Sequence, residues 1–307
     1  ASELTGCNIY GKGEYFNPGE SVKDRAALFI IEDAIQKKII QKGGIVVEGT
    51  AGNTGIGLAI VAKAYDLSVK IIIPKTQSIE KKQTLKNLGA ELIEVDAVPY
   101  SNPNNYIKQS KRIAENLSSS NKNGVLWANQ FDNTMNLESH IKTTAKEIWT
   151  QTAGQIHGFV CSVGTGGTLA GVSIGLKEKN KDVMIALSDP MGSSLYSHTK
   201  FNKLENTGSS ITEGIGNGRI TKNFEKALID EAFQITDTEA LNIIFKLKED
   251  QNISLGGSSG INIAGAIRLA KELGPGHNIV TILCDSGKRY ASKIYNKEFL
   301  RYKNLPI

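Results

Sequence analysis

The stretch GIVVEGTAGNTGIGLAIVAKAYDLSVKIIIP, residues 44–74, decides the fold of this chain. It opens with an apolar run at 44–48, carries apolar residues at helical spacing over 56–65, and returns to an apolar run at 69–73 that Pro74 closes. Short β-branched runs on either side of a helical pattern are typical of a βαβ unit with parallel strands. The stretch therefore predicts a strand, a helix and a strand in that order.

The same alternation continues along most of the chain. Further strands are predicted at 90–95, 158–163, 183–188 and 279–284, and further helices at 80–88, 169–179 and 261–273. Repeated βαβ units build a mostly parallel sheet. We therefore expect an α/β protein.

With 307 residues, the chain exceeds the usual size of a single hydrophobic core, so two lobes that share a cleft are expected. Each lobe is predicted to be a mostly parallel twisted sheet flanked by helices. The N-terminal lobe is placed at 21–149, and the C-terminal lobe at 150–307 together with 1–20. Residues 79–117 are the expected mobile subdomain that closes over substrate.

The composition excludes several classes of protein. Hydrophobic residues make up 40% of the chain and charged residues 22%, which argues against a disordered protein. Apolar runs are too short to cross a bilayer, so we expect a soluble protein. The net charge of +5 is small and interleaved, which indicates no nucleic-acid partner. Three cysteines without a CxxC pair favour a reducing compartment, with cytoplasm as the prediction.

The segment NPGESVKDR, residues 17–25, predicts a helix that starts at Ser21. Ser21 and Asp24 have the spacing of a capping box. Lys23 then lies in the first turn, where the helix dipole disfavours a cation. A neutral amine is the form that attacks an aldehyde to make a Schiff base. The alternative is a solvated lysine balanced by Asp24.

Two loops each follow a predicted strand and open a predicted helix. TAGNTG at 50–55 can direct backbone N–H groups at an anion, and Asn53 adds a side chain that donates and accepts. GTGGT at 164–168 has three glycines and two hydroxyls, which suits close approach of a phosphate. An ordinary strand-to-helix turn is the alternative for the first loop.

Nucleotide sites compete for the second loop. A P-loop would need Gly-Lys-Ser/Thr, which is missing, and a dinucleotide fingerprint would need Gly or Ala at Leu169. Asp189 does mimic the acidic ribose ligand of that fingerprint, so a dinucleotide site stays an alternative. No metal site is predicted, because His140 and His157 have no partner at ligand spacing. Cys161 and Cys284 are predicted to be core residues.

Taken together, five motifs resemble the cysteine synthase and cystathionine β-synthase family of fold-type II pyridoxal-phosphate enzymes over nearly the whole chain. In order, they are residues 17–25, 50–55, 164–168, EGIG at 213–216 and Asp285-Ser286. The joint occurrence of these motifs is far more specific than any one of them. The chain opens on Ala1 rather than methionine, so we expect residues upstream of it.

The resemblance implies a role for each motif. Lys23 would form the internal aldimine with pyridoxal 5′-phosphate and later act as the acid/base at the substrate Cα. Asn53 would contact the 3′ oxygen of the ring, and Ser286 would face the pyridine nitrogen, with Asp285 as the alternative. The cofactor phosphate would be held by Gly164, Thr165, Gly166, Gly167 and Thr168. The substrate would be bound by Thr50, Ala51, Thr54, Gln130 and Gly214.

The implied reaction is β-replacement through an aminoacrylate, which makes L-cysteine from O-acetyl-L-serine and sulfide. Ala51 stands where the family usually has serine, which leaves the amino-acid substrate open. Glu213 is similar to the cystathionine β-synthase branch, so condensation with homocysteine is the alternative, and serine or threonine dehydration is a third. The family also implies a homodimer and a possible complex with the C-terminal tail of serine acetyltransferase.

Overall fold

A computed structural model describes residues 1–50 and 52–307, so the predicted substrate contact Ala51 lies outside the described residues. The chain divides into two compact units: unit 1 comprises residues 1–15 and 137–307, and unit 2 comprises residues 16–136. The sequence places these boundaries at 20/21 and 149/150. Residues 137–149 group with unit 1 because a Cβ at Gly171 would overlap the Leu137 carbonyl oxygen, which shows how closely the two segments pack.

The secondary structure of the described residues alternates strands and helices. The strands are β1 (Asn8–Gly13), β2 (Ile45–Gly49), β3 (Ser68–Pro74), β4 (Glu91–Val95), β5 (Val125–Trp127), β6 (Gly158–Cys161), β7 (Met184–Pro190), β8 (Glu231–Ile235) and β9 (Asn278–Leu283). The α-helices are α1 (Ser2–Thr5), α2 (Lys23–Gln36), α3 (Asn53–Ala64), α4 (Ile79–Asn87), α5 (Tyr106–Ser118), α6 (Met135–Ser139), α7 (Lys146–Gln151), α8 (Gly167–Lys177), α9 (Leu195–Phe201), α10 (Asp237–Gln251), α11 (Gly257–Leu273) and α12 (Lys297–Tyr302). A π-helical segment, His140–Ala145, joins α6 to α7.

Unit 2 is built on a four-stranded parallel sheet in the order β4-β3-β2-β5. The predicted βαβ unit of residues 44–74 is β2, α3 and β3, with Val46 opposite Val69. Apolar residues of α2 and α3, such as Ile31 and Leu58, are fully buried against the sheet residue Ile71. Burial of this apolar surface is the main force that stabilises the unit.

Unit 1 is built on a five-stranded parallel sheet in the order β1-β9-β6-β7-β8. Two of its strands, β1 and β8, have no strong sequence signal and were not predicted. Its core is formed largely by buried apolar residues of β6, β7, β9 and α11. The prediction of an α/β protein with parallel sheets is confirmed. Parallel strands bring the loops after their carboxyl ends to the same edge of each sheet.

The predicted capping box at Ser21 and Asp24 is wrong. The helix α2 begins at Lys23 rather than Ser21, and its N-cap Val22 makes no side-chain cap bond. The Ser21 hydroxyl accepts a bond from the Lys23 N–H at 3.3 Å. The Asp24 carboxylate instead accepts the N–H of Gly19, so it turns away from the reciprocal bond that a capping box requires.

Two further findings concern the chain as a whole. Among the described residues, none of the helices combines the length and the apolar character needed to cross a lipid bilayer. Cys161 and Cys284 are buried, as predicted for core residues, and Cys7 is buried as well.

Candidate active site

The predicted lysine lies at the start of a closely packed helix pair in unit 2. Lys23 is the first residue of α2 and is half-buried. A Cβ at Gly57 in α3 would lie only 3.2 Å from the Asp24 Cα, so the first turn of α2 approaches α3 one turn after Asn53. The helix that carries Lys23 therefore packs directly on the helix that the 50–55 loop opens.

Unit 2 also brings together the residues predicted to bind the substrate carboxylate. The Thr54 hydroxyl donates to Gln130 Oε1 at 2.5 Å, and Gln130 Nε2 donates to the Gly49 carbonyl at 3.4 Å. Thr50 accepts the N–H of Gly52 at 3.2 Å, which leaves its hydroxyl proton to donate elsewhere. All three side chains are buried, and they form one polar group at the carboxyl end of β2.

Glycine is required in the 50–55 loop. Gly52 has a φ of 130°, and a Cβ there would lie 2.6 Å from the Lys81 Cδ. Lys81, on α4, is almost fully buried. The aliphatic part of the Lys81 side chain therefore packs against Gly52 of this loop. Lys81 was not predicted from the sequence as a site residue.

The predicted phosphate loop of unit 1 follows β6 and runs into α8. Gly166 is the N-cap of α8 with a φ of 92°, and a Cβ there would lie 2.5 Å from the Phe224 nitrogen. The first turn of a helix presents N–H groups that have no partner within the helix. Gly164, Thr165, Gly166, Gly167 and Thr168 thus form a tight turn that suits an anion.

The segment around Gly214 lies against this loop. A Cβ at Gly164 would overlap the Gly214 carbonyl oxygen, and Gly216 donates its N–H to the Val163 carbonyl at 2.8 Å. Asn217 donates from Nδ2 to the Gly164 carbonyl at 3.1 Å. The structure therefore brings the predicted phosphate loop and the predicted substrate contact Gly214 together. Asn217 was missed because a lone asparagine in a turn carries no distinctive signal.

Hydrogen bonds fix both hydroxyl residues of the loop. The Thr221 hydroxyl donates to the Thr165 carbonyl at 2.7 Å, and the Thr168 hydroxyl pairs with His140 Nε2 at 3.2 Å. His140 Nδ1 pairs in turn with Thr144 at 2.8 Å. His140 therefore links Thr168 of this loop to Thr144 in the π-helical segment.

At the end of β9, Asp285 and Ser286 have different partners. Tyr290 donates its hydroxyl to Asp285 Oδ2 at 2.6 Å, and burial together with this carboxylate raises the pKa of Tyr290 well above its ordinary value. Ser286 Oγ accepts the Lys288 N–H at 3.4 Å, so its proton can be donated to a ring nitrogen. Because the Asp285 carboxylate is engaged by Tyr290, Ser286 is the better candidate for that contact.

Asn262 links the two strand ends that carry these loops. Its Oδ1 accepts the Ser162 N–H at 2.7 Å and its Nδ2 donates to the Ile282 carbonyl at 2.7 Å, which joins the end of β6 to the end of β9. Asn262 was not predicted from the sequence. A polar side chain inside the apolar helical run 261–270 was the available signal.

Asp189 is the residue on which the alternative of a dinucleotide site depended. Its carboxylate accepts a hydrogen bond within unit 1. Its Oδ2 accepts the Tyr196 N–H at 2.8 Å in the turn between β7 and α9. Burial raises the pKa of Asp189 to about 6. A carboxyl group that is buried in its own turn is poorly placed to bind a ribose.

The model of the family described as "Pyridoxal-phosphate dependent enzyme" matches residues 1–285. The chain belongs to this family. Its cofactor is pyridoxal 5′-phosphate, and donor groups of unit 1 suit that molecule. The N-terminus of α8 and the hydroxyl groups of Thr165 and Thr168 can bind a phosphate. Gly164 and Gly166 allow a close turn in which a Cβ would overlap neighbouring backbone. Ser286 can donate a proton to a ring nitrogen.

Curated relatives resemble the chain over almost its whole length. It is 46% identical to Cysteine synthase 1 of Neurospora crassa, covering 99% of this chain and 81% of that protein. It is 45% identical to Cysteine synthase 1 of Emericella nidulans, covering 99% and 82%, and 43% identical to Cysteine synthase of Dictyostelium discoideum, covering 100% and 82%.

Solved structures share the fold. An O-acetylserine dependent cystathionine β-synthase from Helicobacter pylori superposes with a TM-score of 0.87 at 33% identity, covering 96% of this chain and 94% of that one. A hydrogen sulfide-producing enzyme from Fusobacterium nucleatum superposes with a TM-score of 0.82 at 32% identity, covering 93% and 92%. The fold is therefore that of pyridoxal-phosphate enzymes of this type.

Proposed function

We propose that this chain is a cysteine synthase, which replaces the acetate of O-acetyl-L-serine with sulfide and so makes L-cysteine. The observation that carries the proposal is the 46% identity to Cysteine synthase 1 of Neurospora crassa over 99% of the chain. The residues that the family resemblance assigns to cofactor and substrate support it, with Ala51 as the one departure.

Lys23 performs the proton transfer in this proposal. Pyridoxal phosphate, when bound, supplies an aldehyde that condenses with amines and a ring that draws electrons from the substrate Cα. Lys23 would hold that aldehyde in the resting enzyme, and its amine would take the Cα proton of the substrate. Acetate leaves from Cβ in the first half of the reaction, and sulfide adds at Cβ in the second.

The remaining residues bind and orient. The loop 164–168 would hold the phosphate, and Gly214 would lie beside the substrate. The substrate carboxylate is oriented by Thr50, Thr54, Gln130 and the residue at position 51, while Asn53 contacts the 3′ oxygen. Ser286 would donate its proton to the pyridine nitrogen. Because a neutral hydroxyl leaves that nitrogen less positive than an aspartate would, β-replacement is favoured over reactions that need a stronger electron sink.

The test is a steady-state comparison on protein checked for its bound chromophore. O-Acetylserine, O-phosphoserine and serine are each paired with sulfide or homocysteine. We expect the highest kcat/KM for O-acetylserine with sulfide, with ping-pong kinetics, and a change in the visible spectrum when O-acetylserine is added alone. An unchanged spectrum with O-acetylserine would contradict the proposal.

A second candidate is the condensation of O-acetylserine or serine with homocysteine. It is favoured by the likeness to the Helicobacter pylori enzyme, by 37% identity to the O-acetylserine dependent cystathionine beta-synthase of Bacillus subtilis, and by Glu213. Glu213 forms an ion pair with Lys293 at 2.5 Å next to Gly214. A higher kcat/KM with homocysteine than with sulfide would make this the main activity, whereas release of ammonia and a keto acid would indicate serine or threonine dehydration.

The family resemblance also supports a homodimer that accepts the C-terminal tail of serine acetyltransferase at the carboxylate-binding loop. Sedimentation should then give twice the chain mass of 33.2 kDa. A peptide with the tail sequence should inhibit competitively against O-acetylserine, and a non-competitive pattern would contradict binding at that loop.

For the compartment, we propose the cytoplasm, because the three cysteines are widely separated in sequence and include no CxxC pair. A relative 38% identical is named "Putative mitochondrial cysteine synthase" of Saccharomyces cerevisiae, so mitochondria are the alternative that cell fractionation must separate.

A further inference from the structure

Glu48 is a buried acid directly below the predicted carboxylate pocket. It is the fourth residue of β2, two residues before Thr50, and only 1% of its surface is exposed. Its register partner on β3 is Ile71. A glutamate in such an apolar strand requires an explanation, because burying an ionised carboxylate without a counter-charge is costly.

The carboxyl group of Glu48 is bonded to the residue that connects it with Thr54. The N–H groups of the Gln130 side chain and of the Asn129 and Gln130 backbones lie close enough to this carboxyl group to lower its pKa. On the other side of the amide, Gln130 Oε1 accepts the Thr54 hydroxyl at 2.5 Å. The acceptors Glu48 and the Gly49 carbonyl lie on the Nε2 side of the Gln130 amide. The amide oxygen Oε1 is therefore the end that faces Thr54.

The other carboxyl oxygen of Glu48 has no partner. Oε2 is buried without a hydrogen bond among the described residues. An ionised carboxylate in this position would bury a charged oxygen without a donor, which costs far more than burying a neutral carboxyl oxygen without a partner.

Within the described part of the chain, no neighbouring charge contributes to the pKa of Glu48. Glu48 lies on the same face of the sheet as Val46 and Ile71, which packs against α2 and α3, whereas α5 packs on the opposite face. The titratable side chains of α2 and α3 are Lys23, Asp24, Arg25, Glu32, Asp33 and Lys63. The pKa of Glu48 is set by burial, which raises it, and by the N–H donors of Asn129 and Gln130, which lower it by less. The result is a pKa of about 8, so the group is mostly neutral at pH 7.

We propose that Glu48 is a positioning residue that holds the Gln130 amide as an uncharged acid and thereby sets Gln130 and the Thr54 hydroxyl for the substrate carboxylate. The inference rests on the proposed function for the identity of the ligand. A neutral acid orients Gln130 without placing a second negative charge beside the carboxylate. Ionisation at alkaline pH adds that charge, and binding of the substrate weakens.

The test compares wild type with Glu48→Gln, which keeps a neutral acceptor of the same shape at every pH. The exposed acid of Glu91→Gln, on β4 of the same sheet, controls for the change in net charge. The readout is KM and kcat for O-acetylserine from pH 6.5 to 9.5. The ionisation of the substrate amine is common to all three proteins and cancels in their ratio.

We expect the KM ratio of wild type to Glu48→Gln to be near one at pH 7 and to rise roughly tenfold per pH unit above about 8, with the kcat ratio unchanged. Glu91→Gln should follow wild type throughout. A KM ratio that stays constant with pH would overturn the proposal. So would a ratio in which only kcat changes, since a positioning role acts on carboxylate binding.

Two measurements, acetate binding and thermal unfolding, do not depend on turnover. Acetate has no amine to titrate, so its dissociation constant from the wild-type holoenzyme should rise above pH 8, and a constant value would refute the proposal even if Glu48→Gln did not fold. Thermal unfolding separates this inference from the proposed function. The folded-state pKa lies above the unfolded one, so wild type loses stability as pH rises from about 4.5 to about 8.

Glu48→Gln lacks that loss, so its Tm advantage over wild type should grow by several degrees between pH 5 and 8.5. Failure of O-acetylserine turnover with this Tm profile intact would reject the proposed function alone. A Tm difference that does not vary with pH would show that Glu48 is ionised in the folded protein and would reject the inference.

Discussion

Replacement of Lys23 by alanine lowers O-acetylserine turnover by roughly 10⁴-fold or more. The change removes both the amine that binds the cofactor aldehyde and the base that takes the Cα proton, and each kind of group contributes about 10² to 10⁴ to a rate. Lys23 is half-buried at the first position of α2, where alanine is readily accommodated, so the fold should persist. The measurements are kcat/KM and the visible spectrum of the purified protein.

The matched control is Lys37→Ala just beyond the other end of α2, where an exposed lysine pairs with Asp33 at 2.8 Å. That variant should keep its activity, because an exposed pair contributes little. Borohydride reduction followed by peptide mass mapping should place the cofactor label on Lys23 in wild type. A label on another lysine, or a Lys23→Ala enzyme with normal turnover, would disprove the assignment.

Replacement of Gly164 by alanine is expected to weaken binding of pyridoxal phosphate by 10- to 100-fold. The new Cβ would overlap the Gly214 carbonyl oxygen, which is backbone and cannot rotate aside. The 164–168 loop must move relative to the Gly214 segment, and overpacking of this kind costs about 1 to 3 kcal/mol. That energy corresponds to the stated change in affinity, at about 1.4 kcal/mol per factor of ten.

The control is Gly218→Ala, four residues from Gly214, where a Cβ would meet nothing within 4 Å. It should bind the cofactor normally. Affinity for pyridoxal, which lacks the phosphate, separates a local effect from a general one. We expect Gly164→Ala to lose affinity for pyridoxal phosphate much more than for pyridoxal, and an equal loss for both would argue against a phosphate role for this loop.

Local patterns predicted the parts of the fold in which neighbouring residues decide the structure. The 44–74 stretch gives β2, α3 and β3 because its apolar runs and helical spacing are continuous in sequence. In contrast, β1 contains two glycines and alternates weakly, and it becomes a strand by pairing with β9, where Asn8 is opposite Asn278. Pairing over such a distance leaves no local signal.

The capping box failed for a related reason. Its spacing was correct, but the Asp24 carboxylate found the Gly19 N–H, a competitor that the pattern does not consider. Most predicted site residues cluster within their own units, because loops after parallel strands share one sheet edge. Residues that contact them, such as Asn262 and His140, were not predicted, because each forms its hydrogen bond with a segment distant in the sequence.

The amino-acid sequence by itself determined the order of strands and helices in its strongest segments, and the family resemblance it carries named the residues that would meet cofactor and substrate. Only the tertiary structure decided how deeply the polar groups around them are buried and how far their pKa values shift. Glu48 is an ordinary strand residue in the sequence, and its burial on the sheet face that α2 and α3 cover raises its pKa to about 8. Solvent exclusion is produced by the whole fold, and a pattern of neighbouring residues cannot encode it.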